Sequence, residues 1–122
     1  MKWCLVVDDS DVVRRVAGRI LENLGCQILE AENGQEALKL CRQSMPDFIL
    51  VDWHMPGMGA MDLLKALRLA PDGDRAGIVY CTTENDREDI SRALEAGADD
   101  YLMKPFDRES LSAKFAVTVR GA

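Results

Sequence analysis

Hydrophobic residues in this chain follow two alternating patterns. Short continuous apolar runs occur at Trp3 to Val7, Phe48 to Val51 and Ile78 to Cys81, with weaker ones at Cys26 to Leu29 and Tyr101 to Met103. Unbroken runs suit parallel strands covered on both faces, because a half-exposed strand alternates instead. Between them, apolar residues recur at helical spacing: Val12, Val16, Ile20 and Leu24; Ala37, Cys41 and Met45; Ala60, Leu64 and Leu67; Ile90 and Leu94; Leu111 and Phe115. Each set predicts one stripe of an amphipathic helix. Gly25 and Gly97 fall where two helices should stop, Asp86 and Asp107 where two should be capped, and Asn33-Gly34 reads as a plain turn.

A β-α unit repeated five times predicts an α/β fold: an open parallel five-stranded sheet with helices on both faces and right-handed crossovers. No linker, repeat or low-complexity tract divides the 122 residues. One domain over 1–122 is expected, with no output domain because the sequence stops soon after the last helix. A chain of this length needs neither disulfide nor metal merely to fold. Cys4, Cys26, Cys41 and Cys81 stand singly among apolar neighbours and read as reduced core thiols. No apolar stretch approaches the roughly 20 residues that cross a bilayer, and no signal peptide is visible, so a cytoplasmic protein without membrane contact is expected. With 15 Lys and Arg against 21 Asp and Glu, the net charge of −6 disfavours nucleic acid as a partner.

In open parallel sheets, ligands bind at the carboxyl ends of the strands, where the strand order reverses. After the first strand come Asp8 and Asp9, after the third Asp52, after the fourth Thr82 and Thr83, and after the fifth Lys104-Pro105. Any one of these acids reads as a helix cap or a solvated loop residue. Their joint occurrence reads differently, because carboxylates about 4 Å apart repel by about 4 kcal/mol at an effective dielectric near 20, a cost that a cation between them offsets. Hard oxygen donors beside a phosphate favour Mg2+.

The motifs Leu5-Val6-Val7-Asp8-Asp9-Ser10, Val51-Asp52-Trp53-His54-Met55-Pro56-Gly57, Thr82, Ala96-Gly97-Ala98-Asp99, Tyr101 and Lys104-Pro105-Phe106 stand in an order that resembles the response regulator receiver domain of two-component signalling, in its stand-alone CheY-like form. The resemblance runs along nearly the whole chain and implies the strand order 2-1-3-4-5. It implies that Asp52 accepts a phosphoryl group from a sensor histidine kinase or a histidine phosphotransferase, forming an acyl phosphate. Asp9 and Asp52 would then bind Mg2+ directly, Asp8 through water, and His54 through its backbone carbonyl. Lys104, following a cis Lys-Pro bond, and the Thr82 hydroxyl would meet phosphoryl oxygens. Tyr101 would be the aromatic switch beside a surface that binds an output partner, in chemotaxis or motility, and the protein would act as a monomer. His54, Thr83 and Glu84 would border the approach of water and so set the lifetime of the phosphoryl group.

Other residues carry plainer readings. Trp3 and Trp53 read as packing or surface aromatics, the latter a reporter of the site; Met55, Met58 and Met61 read as loop and core fillers. His54 reads as a partly exposed loop residue rather than a side-chain ligand. Gly59-Ala60 stands where the family usually has Asp-Gly, predicting a weak cap on the next helix, and Thr83 replaces a common alanine. Asp9-Ser10-Asp11-Val12-Val13 also fits a phosphatase of the haloacid-dehalogenase type, with Asp9 as nucleophile, but that leaves Asp52 without a role. A flavin carrier is disfavoured because Asp8 and Asp9 would repel the phosphate its first loop must cradle. A receiver-like module without phosphorylation is disfavoured by the complete set Asp8, Asp9, Asp52, Thr82 and Lys104.

Overall fold

Five parallel strands and five helices alternate strictly in a computed structural model that describes residues 2–83 and 86–119. The order is β1 (Lys2–Val7), α1 (Asp11–Glu22), β2 (Cys26–Ala31), α2 (Gly34–Gln43), β3 (Phe48–Asp52), α3 (Ala60–Leu69), β4 (Gly77–Thr82), α4 (Arg87–Ala96), β5 (Asp100–Met103) and α5 (Arg108–Thr118). The sheet runs β2-β1-β3-β4-β5, as expected. From β1 the chain steps outward to β2 and then returns across β1 to β3, so the order reverses between β1 and β3. There Val7 pairs with Val51, which sets Asp8 and Asp52 side by side at the carboxyl edge.

Alternate strand residues feed two cores. Leu5, Val7, Ile49, Val51, Ile78 and Tyr80 pack with α2, α3 and α4 residues such as Leu38, Leu63, Leu67 and Ala93. Cys4, Val6, Phe48, Leu50, Val79 and Cys81 pack with Ala17, Leu21 and Leu111 of α1 and α5. Burial on both faces explains the unbroken apolar runs, each large side chain contributing about 1.5–3 kcal/mol. All four cysteines are buried and free, and burial pushes the Cys41 and Cys81 thiols up to about 12, which leaves them unreactive. Among the described residues no helix is long and apolar enough to cross a membrane.

Three local expectations need correction or refinement. The α1 stripe is misplaced, since Val12, Val16 and Leu24 are 66%, 46% and 42% exposed while Ala17, Gly18, Ile20 and Leu21 are buried. A four-residue step overshoots a helical turn by about 40°, so a long series at that spacing walks off the buried face. Asn33 is more than a turn residue: it caps α2, its side chain accepting from the Glu36 N–H at 2.8 Å. Leu94 is 42% exposed although its stripe partner Ile90 is buried. Asp86 and Asp107 cap α4 and α5, and Gly97 closes α4 at φ +133°, a conformation that side chains resist. Gly59 gives α3 no side-chain cap, as its residue type predicts.

Candidate functional site

Asp52 ends β3 and Asp8 follows β1, so both carboxylates emerge at the switch point with only 3% of each residue exposed. Asp9 is exposed. One carboxylate oxygen from each of the three lies within 4.8 Å of the others. Lys104, just beyond β5, reaches across with its Nζ 2.8 Å from Asp8 Oδ2 and 2.7 Å from Asp52 Oδ1. Its backbone N–H donates to the Thr82 carbonyl at 2.8 Å, fixing the loop to β4, and its bond to Pro105 is cis.

The electrostatics of this cluster are in tension. Burial raises the pKa of Asp52, and the charges of Asp8 and Asp9 push it the same way, while the Lys104 ammonium opposes them without restoring the ordinary value. Lys104 itself is held above its ordinary value: burial lowers it, but Asp52 and Asp8 together outweigh burial. At 2.7 Å the Lys104 ammonium is the one cation against the buried Asp52 Oδ1 among the described residues. Three carboxylates with oxygens this close, two of them buried and sharing a single ammonium, are a donor set that suits a hard divalent cation of the Mg2+ kind.

Thr82 closes β4 and is fully buried; Thr83 beside it is exposed. Tyr101 lies on β5 opposite Tyr80, two residues before the Thr82–Met103 pair, and is half-buried with the Lys114 ammonium 4.9 Å from its ring centre. Thr83 joins Val12, Val13, Val16, Lys104 and Phe106 around an apolar cavity of about 310 Å3 next to the acid cluster. Trp53 and His54 follow Asp52 in an exposed loop, their rings 5.3 Å apart. Met55, Met58 and Met61 pack into or against the core under that loop. Glu84 lies outside the described residues.

Two groups at the site were not singled out from the sequence. Ser10 caps α1, its hydroxyl accepting from the Val13 N–H at 3.3 Å, while its own N–H donates to Asp8 Oδ1 at 2.9 Å. A Ser shortly before an apolar stripe is a cap signal and was legible as such. Arg14 donates from Nη1 to the Asp8 carbonyl at 2.6 Å and from Nε to Glu30 at 3.0 Å, and it also pairs with Asp11. Nothing in the sequence separates Arg14 from Arg15, its exposed neighbour.

Comparison with known proteins agrees with this geometry. The family model for the response regulator receiver domain matches residues 4–116. Chemotaxis protein CheY-3 of Vibrio cholerae is 37% identical over 111 residues, 90% of this chain and 85% of that protein. The phosphate regulon transcriptional regulatory protein PhoB of Escherichia coli is 35% identical over 116 residues, 95% of this chain but 51% of PhoB. Among solved structures, chemotaxis response regulator CheY4 of V. cholerae superposes with a TM-score of 0.92 at 30% identity, over 98% of this chain and 99% of that one. The receiver domain of sensor histidine kinase PA1611 from Pseudomonas aeruginosa, with magnesium coordinated in its active-site cleft, superposes with a TM-score of 0.87 at 27% identity, over 96% of each chain.

Proposed function

The chain belongs to the response regulator receiver domain family, a signalling family of two-component systems, and from that premise we propose that it is switched by phosphorylation of Asp52. The observation that carries this reading is the buried Asp52 carboxylate at the end of β3, set between Asp8, Asp9 and the Lys104 ammonium. Asp9 and Asp52, with Asp8 through water and the His54 carbonyl, would hold Mg2+, which supplies charge neutralisation for phosphoryl transfer.

The residues of the chain do the rest. A carboxylate oxygen of Asp52 attacks the phosphorus of a phosphohistidine on a sensor kinase or phosphotransferase; the O–P bond forms as the N–P bond breaks, and the imidazole leaves with the electron pair. Lys104 then faces a phosphoryl oxygen in place of the carboxylate it now pairs with, and the Thr82 hydroxyl meets another. Because Thr82 and Tyr101 lie on neighbouring strands, movement of the threonine frees space toward which the tyrosine turns, altering the face around β5 that an output partner reads. Relatives of nearly the same length are chemotaxis proteins, which favours chemotaxis or motility as the setting; the acidic chain acts in the cytoplasm as a monomer, without nucleic acid.

A small phosphodonor with Mg2+ should label the parent protein, and borohydride reduction followed by peptide mapping should place the label on Asp52. Asp52→Asn should take up none. Label on Asp9 would favour the phosphatase chemistry and overturn this assignment.

A further inference from the structure

We infer that Arg14 is a positioning residue for the acidic site, fixing the Asp8–Asp9 peptide and thereby the direction of the Asp9 carboxylate. The inference rests on the reading of Asp8, Asp9 and Asp52 as a cation-assisted phosphoacceptor site.

The polar atoms of Asp8 are tied down one by one. Its N–H donates to the Ala31 carbonyl at 3.1 Å, its Oδ1 accepts from the Ser10 N–H, its Oδ2 from Lys104, and its carbonyl from Arg14 Nη1 at 2.6 Å. That carbonyl belongs to the same planar peptide as the N–H of Asp9, so the arginine sets the tilt of the plane from which Asp9 departs. The exposed Asp9 carboxylate accepts no hydrogen bond from the other described residues. What the Asp8–Asp9 peptide sets is the direction of its Cα–Cβ bond, and with it the region the carboxylate can reach.

The guanidinium is itself held in place. Its side chain is only 12% exposed, Glu30 on β2 takes Nε, and Asp11 in the first turn of α1 takes Nη2, which leaves Nη1 aimed at the Asp8 carbonyl. A rigid planar fork makes these three contacts at once, and a lysine ammonium on a flexible stem does not reproduce them. The arrangement joins α1, β2 and the loop after β1 at the point where the site needs one fixed ligand direction. Groups that orient a metal ligand commonly change affinity by 10–100-fold when removed.

Charge and position predict opposite signs, and this makes the inference testable. Arg14 is a cation close to a cation site, so if it acted only through its charge, Arg14→Met would tighten Mg2+ binding. If it positions Asp9, Arg14→Met should weaken Mg2+ binding by about tenfold or more, and Arg14→Lys, which keeps the charge, should weaken it nearly as much. Glu30→Gln, at an exposed carboxylate that orients the fork, should act in the same direction but less.

Isothermal titration calorimetry with MgCl2 on the metal-free protein reads this directly, with thermal melts of each variant alongside. Amide spectra of metal-free Arg14→Lys should also show shifted Asp9 and Ser10 resonances. Unchanged or tighter Mg2+ binding in folded Arg14→Lys and Glu30→Gln would overturn the positioning role while leaving the phosphoacceptor site standing. A parent protein that binds no Mg2+ would overturn the site itself, and the inference with it.

Discussion

At the scale of single residues, the site combines groups of opposite obligation, and Thr83 is the one whose role follows most directly from its surroundings. It is exposed, it lines the apolar cavity that adjoins Lys104, and it sits next to the buried Thr82. On the proposed reading, a small phosphodonor or a water molecule approaching Asp52 would pass this rim. Replacing the β-branched side chain by a methyl removes bulk and adds no reactive group. Thr83→Ala should speed both phosphorylation by small donors and spontaneous loss of the phosphoryl group by a few-fold, equivalent to about 1 kcal/mol of barrier, with little change in melting temperature. Equal phosphoryl half-lives in parent and variant, measured by radiolabel decay, would remove Thr83 as a gate. The acids, Thr82 and Lys104 were legible in the sequence because each directly follows or ends an apolar strand, and strand ends converge. Arg14 was not, because the direction of a long side chain is decided by partners from β2 and the β1–α1 loop that helical spacing does not encode.

At the scale of elements, continuous apolar runs located β1, β3 and β4 almost to the residue, while β2 and β5, at the sheet edges, gave weaker signals because one side of each is open. The α1 stripe failed for a different reason. Besides the overshoot of its four-residue step, the helix meets the sheet not only through Ile20 and Leu21 but through the small residues Ala17 and Gly18, a Cβ on the latter coming 3.5 Å from Ile28, and small residues leave little mark in a hydrophobic pattern. In the proposed switch the moving elements are β4 and β5, paired through Tyr80–Tyr101 and Thr82–Met103, with α4 tied to β4 where the Tyr80 hydroxyl donates to Asp89 at 2.8 Å. A phosphoryl group shifts this assembly only through contacts that differ between its two states. Beryllofluoride, a phosphoryl mimic, should therefore shift the Tyr101 ring resonances in the parent protein. In Thr82→Ala it should still bind at Asp52 but leave the Tyr101 resonances close to their unliganded positions. A full Tyr101 response in that variant would show that Thr82 does not link the two strands.

For the whole molecule, the acid cluster is a stability cost. Carboxylate oxygens within 4.8 Å of one another repel by about 3 kcal/mol or more per pair at an effective dielectric near 20, and Lys104 offsets much of this. With Asp8 and Asp52 side chains only 4% and 3% exposed, Lys104→Met leaves two buried anions without their cation, and about 3 kcal/mol of stability should be lost in metal-free protein at neutral pH. Acid should relieve the deficit. The pKa of Asp52 is raised in the folded state, so the native protein holds that proton more tightly than the unfolded chain does, and stability from this group falls as pH rises through its folded value. Lowering the pH toward the ordinary carboxylate range should bring the variant back toward the parent. Mg2+ should relieve the deficit too, stabilising the parent by about 2.7 kcal/mol at a hundredfold excess over its Kd, and the variant more at the same Mg2+ concentration because no ammonium competes for the same oxygens. Removing the Lys104 cation should thus tighten Mg2+ binding while removing the Arg14 cation weakens it, although both charges lie beside the same cluster. Melting temperatures of the two variants across a Mg2+ titration separate a charge that occupies the site from one that shapes it, and a shift of the same sign in both would defeat that distinction.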